Sequence, residues 1–532
     1  MSANAMMPDG IQRGEVLANR GWVAACRFRI SRGPTGLDTR SGFGGGEKSR
    51  CQRTTLRTGR FFSGIQAVLG VCILATLPVH PAAGADMARD WSDVASSYLN
   101  RYALGAFQPH VLAMVHVAQF DAVNAVIGGF TPYALSVVAP DASPEAAAAQ
   151  AAYSVLTNVS RASLSMLNTA LTESLATIPD GPAKEDGLKL GRAAAEAVIR
   201  LRAGDNLDLN VSVGTSTAPG RWRPTPPNFI SGTGGSYRYL TPWTLRSPSQ
   251  FRPGPPPSLD SALYASDYNE VRLLGSVNST IRTPEQTQAA LRREAGENLL
   301  QAVMGLRPLS LIESARLLAL HYMAWTDAVI QVFDAKYAYN YWRPVTAIRE
   351  GHADGNPDTP RDANWTPLTN THSHPEYPSQ LAMITAARVG ILISVLGDDI
   401  GFSVSSSGYS GPRTFPRLSA YVQDATEARV AGGTHFRNSC NVAADAGWRI
   451  AQNAIEHFLR PLPALNAGGG SEGGGFQLHL VTGRAVPYRI ETSSDLLQWV
   501  AWQTNTYGTL LLTDTNAATQ ERRFYRATLL QP

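Results

Sequence analysis

Cysteine is scarce and unevenly placed. Four occur in 532 residues, and Cys26, Cys51 and Cys72 all fall in the leader, which leaves Cys440 alone in the remainder. A body with one thiol forms no internal disulfide, so its stability must come from its core. Excess positive charge is missing too, despite a net charge of +4. Residues 1–60 hold eleven Lys/Arg against four Asp/Glu and residues 61–85 hold no charge, so residues 86–532 carry about −3. That balance excludes the basic footprint of a nucleic-acid binder, and no such partner is expected.

Long apolar runs are lacking, with one exception. FFSGIQAVLGVCILATL, residues 61–77, comes after arginines at 53, 57 and 60 and leads to Ala83-Gly84-Ala85. The run is short for a membrane span, Pro78 and Pro81 interrupt its continuation, and the last three residues form an A-x-A cleavage signature. A cleaved secretory signal is predicted. With it comes an exported protein, placed in the periplasm, at the cell surface or outside the cell. The leader is unusually long, which points to a start downstream of Met1. Residues 1–52 are expected to be disordered.

The length implies more than one domain. From 86 to about 202, segments such as PHVLAMVHVAQFDAVNAVI show helical spacing of apolar residues without a breaker. Residues 205–262 are rich in proline and aromatics. Trp222, Phe229, Tyr237, Tyr239, Trp243 and Phe251 lie too close together for a bare linker, so an ordered loop wrapping the helical body is predicted. Helical pattern resumes over 283–350, 378–397 and 416–459. NAGGGSEGGG then marks a flexible linker within 461–475, and a period of two over 476–532 predicts a small β domain. The predicted organisation is a leader (1–85), a mainly α domain (86–460), the linker and the β module.

Residues able to do chemistry fall in three runs. In DAKYAYNYWRPVTAI, Lys336 and Arg343 stand seven apart. On one helix that is nearly two turns, so both cations would leave the same face. Pro344 would bend or end that helix. In PEYPSQLAMITAARVGILISVLG, Pro378 and Ser379 open an apolar helix whose first N–H groups attract anions. In the third run Arg429 and His435 stand six apart, on different sides of a straight helix, and Gly432-Gly433 would break it and let them converge. Two arginines, a lysine, a serine, a helix N-terminus and a histidine describe a pocket for a tetrahedral or bipyramidal oxyanion. Each charge-assisted hydrogen bond contributes roughly 1.5–3 kcal/mol, and three cations offset most of the charge on phosphate or vanadate.

The order and spacing of these runs resemble the vanadium-dependent haloperoxidases and their relatives, the type 2 phosphatidic-acid phosphatases. That family has Lys, six residues, Arg-Pro; then Pro-Ser-Gly-His; then Ser-Arg, five residues, His, three residues, Asp. Lys336 to Arg343-Pro344 matches the first run in full. Pro378-Ser379-Gln380-Leu381 matches half of the second, and Ala428-Arg429, VAGGT, His435, FRN and Ser439 keeps the arginine and histidine of the third. MVHVAQFDAVNAV, GRWRPTPPNF, QFRPGPPPSL and RTPEQTQ also resemble segments of bacterial secreted haloperoxidase-like proteins. The likeness spans roughly 86–460. It implies a mainly α, helical-bundle haloperoxidase/phosphatase-like domain with vanadate as cofactor and phosphate as its competitor. Lys336, Arg343, Ser379, Arg429 and the backbone N–H of Gln380 would hold the equatorial oxygens. His435 would be the apical vanadium ligand, or the nucleophile of a phosphatase. The β module, through YRIETSSDLLQW and RRFYR, resembles C-terminal modules of other exported bacterial proteins, and cell-surface contact is its expected role.

Three departures bear on activity. Gln380 replaces a glycine that lets backbone approach the anion. Leu381 replaces a general acid–base histidine, whose loss typically costs on the order of 100- to 10,000-fold in rate. Ser439 replaces an aspartate that would orient His435. His372 and His374 are the candidates to supply the missing proton transfer. The preferred reading is vanadate-dependent oxidation of halide by hydrogen peroxide, with a small organic molecule as a further substrate and with impaired turnover. The alternatives are an acid phosphatase of the same superfamily and a non-catalytic phosphate-binding surface protein.

Overall fold

The computed structural model describes residues 86–530 apart from 102–106, 160–163, 206–208, 210, 212, 296–297, 407–410, 471–475, 482–487, 506–509 and 518–521. The leader, with the expected signal sequence and the segment expected to be disordered, lies outside the described residues. The described chain divides into a helical unit up to Ala464 and a β unit from Leu465.

The helical unit begins with α1 (Met87–Asn100), α2 (Gln108–Ile127), α3 (Pro144–Val159), α4 (Leu164–Ala176) and α5 (Pro182–Leu201). After a long loop come α6 (Ala262–Leu274), α7 (Pro284–Ala295), α8 (Leu299–Met304), α9 (Leu311–Tyr339) and α10 (Pro344–Arg349). It closes with α11 (Gln380–Leu396), α12 (Leu418–Ala431) and α13 (Arg437–His457), and a short hairpin, β1 (Phe402–Val404) with β2 (Arg413–Phe415), precedes α12. The centre is α9, which packs against α2 on one side and α11 on the other, while α11 packs on α13. Among the described residues α2 alone is long and apolar enough to cross a membrane, and nearly all of it is buried in this unit.

Local chemistry sets the ends of α9. Ser310 and Glu313 form a capping box at its start. Asn340 ends it in the left-handed region, φ 52°, with its N–H donated to the Lys336 carbonyl. The expectation that one helix carries Lys336 and Arg343 is therefore corrected. The helix stops four residues before Pro344, and Arg343 is the N-cap of α10.

The contact between α11 and α13 is made by glycines. A Cβ on Gly447 would run into the Met383 carbonyl oxygen and the Ala386 methyl, and one on Gly390 into the Ala451 methyl. Gly447→Ala should therefore destabilise the protein by about 1–3 kcal/mol through overpacking, read as a fall in the denaturation midpoint. An unchanged midpoint would mean that this contact relaxes freely.

The described part of the Pro-rich segment is held by polar groups of α9. Asp327, fully buried, accepts from Trp243 N, Thr244 N and Thr244 Oγ1, and Gln331 accepts from Phe251 N. Trp222 is buried, and its backbone N–H donates to the Asn340 carbonyl at 2.8 Å.

The β unit holds two three-stranded sheets. One has β3 (Ala464–Gly470), β4 (Phe476–Val481) and β7 (Leu510–Asp514) in the order β3-β4-β7. The other has β6 (Val500–Asn505), β5 (Tyr488–Ser493) and β8 (Phe524–Leu529) in the order β6-β5-β8. Leu478, Leu480, Leu512, Tyr488, Ile490, Tyr525 and Ala527 share one core. The linker expectation over 461–475 is corrected in part, because residues 464–470 are strand β3, paired with β4. Residues 471–475 of that stretch lie outside the described residues.

Candidate functional site

Three cationic side chains reach one buried place from helix termini. Lys336 stands in the last turn of α9 and Arg429 in the last turn of α12, where the negative end of a helix favours a cation. Arg343 precedes α10. Lys336 and Arg343 are fully buried and Arg429 is 3% exposed. Such burial costs several kcal/mol per ion unless partners compensate. Lys336 Nζ donates to the carbonyls of Pro375 at 2.7 Å and Glu376 at 2.9 Å. Arg343 donates from Nε to the His374 carbonyl, from one terminal nitrogen to the Thr434 carbonyl and His435 Nε2 (3.1 Å), and from the other to His374 Nδ1 (3.0 Å).

Helix starts supply the other side. Ser379 is the N-cap of α11, and its backbone N–H donates to the Ser439 carbonyl near the start of α13. The first bond of the α11 ladder runs from Met383 N to Ser379 O, so the N–H groups of Gln380, Leu381 and Ala382 precede it. Ser379 Oγ is buried beside the Cys440 thiol, without a hydrogen bond of normal geometry among the described residues. Pro378 lies just ahead of the N-cap rather than in the first turn. Gln380 and Leu381 are half-buried.

His435 comes after a break between α12 and α13. Gly433 there has φ 76°, and a Cβ would strike the Gly275 carbonyl, so the turn needs glycine. His435 is 1% exposed and lies between Arg343 and Glu376, with Nδ1 2.8 Å from Glu376 Oε1. Phe436 N also donates to Oε1, at 3.0 Å. Sequence reasoning misses Glu376, although it stands in the same run, HPEYPSQLA. A carboxylate set between Pro375 and Tyr377 is the one local mark in the sequence, and its full burial shows only in the structure.

The charges act on one another. Burial, then Arg343, holds the Lys336 amine well below its ordinary range, while Glu376 pulls the other way. Burial, then Arg343 and Lys336, does the same to His435. Burial, then Lys336 and Arg343, does so to His374. Both imidazoles are thus held neutral. Burial raises Glu376 to about 7 against the pull of Lys336 and Arg343.

The structure thus brings together Lys336, Arg343, Ser379, Arg429, His435 and the N-terminus of α11 that Gln380 begins. His374 joins them through Arg343. His372 is exposed at the outer edge, its ring 5.7 Å from that of His374. Ser439 does not orient His435. Its Oγ lies beside the Glu376 carboxylate without a hydrogen bond of normal geometry, and Glu376 holds the imidazole instead.

Residues 316–463 match the family model described as the VCPO second helical-bundle domain. Among solved structures, the first bacterial vanadium-dependent iodoperoxidase matches with a TM-score of 0.57 at 20% identity, over 70% of this chain and 97% of that one. An apo-type bacterial vanadium-dependent chloroperoxidase matches with a TM-score of 0.52 at 16% identity, over 66% and 92% of the two chains. No curated protein matches the chain. The helical unit thus has the fold of these bacterial haloperoxidases, and its residues 316–463 carry the matched second helical-bundle domain.

Proposed function

We propose that the helical unit binds vanadate, with phosphate as competitor, and oxidises halide with hydrogen peroxide at a slow rate. The observation that carries this is the imbalance at the site. Lys336, Arg343 and Arg429 are buried around His435, the Glu376 carboxylate stands against Lys336 and Arg343, and the Ser379 hydroxyl sits at a helix N-terminus without a hydrogen bond of normal geometry among the described residues. A multiply charged oxyanion fits that donor set, because it would offset the cations and accept from the hydroxyl and first-turn N–H groups.

In this reading Lys336, Arg343, Arg429, Ser379 and the backbone N–H of Gln380 would hold the oxyanion oxygens, and His435 would be its ligand through Nε2. Vanadate, when bound, supplies Lewis-acid activation of peroxide toward halide. Arg343 has two roles. It holds His435 Nε2 through its own N–H, so His435 would give up that hydrogen bond to ligate the vanadate. His374, neutral and with Nδ1 turned to Arg343, acts to position the guanidinium. Without a proton donor at Leu381, turnover is impaired. Bromide, chloride or a small organic molecule would be oxidised outside the cytoplasm, after export through the leader. The β unit would serve surface contact.

The test is bromide oxidation by peroxide in the exported form of the chain, with and without added vanadate. A slow rate that requires vanadate supports the proposal. Ester hydrolysis inhibited by vanadate would select the phosphatase instead. Tight phosphate binding with neither activity would leave an anion-binding surface protein.

A further inference from the structure

We propose that Glu376 is the positioning residue of His435: it fixes the imidazole tautomer so that the Nε2 lone pair points into the anion site. The inference rests on the anion-site reading above. It begins from hydrogen-bond polarity, which can be worked out from two directions. Arg343 can only donate, so His435 Nε2, 3.1 Å from its terminal nitrogen, accepts and carries no proton. A neutral imidazole with a bare Nε2 has its proton on Nδ1, and Nδ1 faces Glu376 Oε1 at 2.8 Å. From the other side, the Phe436 backbone N–H also can only donate, and it donates to the same Oε1. Oε1 is therefore an acceptor, with one lone pair for each donor.

The surroundings hold the carboxylate in that pose. Lys336 donates to the carbonyls of Pro375 and Glu376, which fixes the backbone on which the side chain hangs. Tyr264, Tyr341, Tyr377 and Phe436 line a small cavity next to the carboxylate. Ser439 Oγ borders the same cavity. A carboxylate at position 439 would therefore start beside the one that Glu376 now supplies, which gives a rescue variant.

The experiment uses Glu376→Gln, Glu376→Ala and Glu376→Ala/Ser439→Asp, with two readouts. The first is nitrogen NMR of histidine-labelled protein, with His435 assigned by comparison with His435→Ala. The unaltered chain and Glu376→Gln should show His435 protonated on Nδ1, because the Gln oxygen still accepts. Glu376→Ala should lose that signature and the double variant should regain it. The second is equilibrium binding of orthovanadate and of inorganic phosphate. Glu376→Ala should lower vanadate affinity on the order of 10- to 100-fold and phosphate affinity only a few-fold, and Ser439→Asp should restore vanadate. The proposal is overturned if His435 carries its proton on Nε2 in the unaltered chain. It is equally overturned if Glu376→Ala keeps the Nδ1–H signature, or weakens both anions alike with no rescue. Failure of the unaltered chain to bind vanadate would defeat the functional reading while the tautomer readout still decides the role of Glu376.

Discussion

Replacing Gln380-Leu381 by Gly-His should raise vanadate-dependent bromide oxidation on the order of 100- to 10,000-fold, the usual worth of a positioned general acid–base group. Both residues open α11 beside Ser379, and both are half-buried, so neither is locked in the core against replacement. The imidazoles already present do not do this work. His435 is tied up between Glu376 and Arg343, and His374 gives its Nδ1 to Arg343. Burial and the neighbouring cations hold both neutral, so neither carries the second ring proton that an imidazolium acid would give up near pH 7. Glycine at 380 should add to the gain by letting the backbone approach the anion. The measurement is kcat at saturating peroxide and bromide with added vanadate. A natural protein that already turns over as fast as the double variant would mean that the acid lies elsewhere, and His374→Ala would then be the variant to make.

The parts of the site that are legible in the sequence are those with a local signature. Lys336, Arg343, Ser379, Arg429 and His435 stand in short runs with a helix end, a proline or a glycine pair beside them, and the structure gathers them at two helix ends and three helix starts. Glu376 is hidden because its role is a contact with a residue 59 positions away. The run that holds it reads locally as a loop before a helix. The geometry of the first run misleads for a different reason. A spacing of seven suggests one helical face, but Asn340 tolerates the left-handed conformation that ends a helix, and Pro344 draws attention to the wrong stop. The glycines at 468–470 read as linker because composition reports side chains, whereas strand β3 pairs through its backbone.

Lys336→Met should weaken phosphate and vanadate binding by roughly 10- to 150-fold, the equivalent of one charge-assisted hydrogen bond of about 1.5–3 kcal/mol. Methionine keeps most of the apolar stem and removes the charge. The proton balance separates this from a packing defect. In the anion-free site, burial and then Arg343 hold the Lys336 amine well below its ordinary range. An anion in contact favours the charged form and raises it again. Binding must therefore take up protons at any pH between the two values, and affinity must fall as pH rises through that window, because the unprotonated amine has to be charged first. Below the anion-free value the dependence vanishes, since the amine already carries its proton. Calorimetry of phosphate binding in two buffers of different ionisation heat measures this uptake directly. The ionisation of phosphate itself is common to the natural protein and the variant, so it cancels in the difference. Lys336→Met should show up to one proton less taken up per anion bound. If the variant binds more weakly with an unchanged proton balance, Lys336 is already charged in the anion-free site, and its bonds to the Pro375 and Glu376 carbonyls carry the charge unaided.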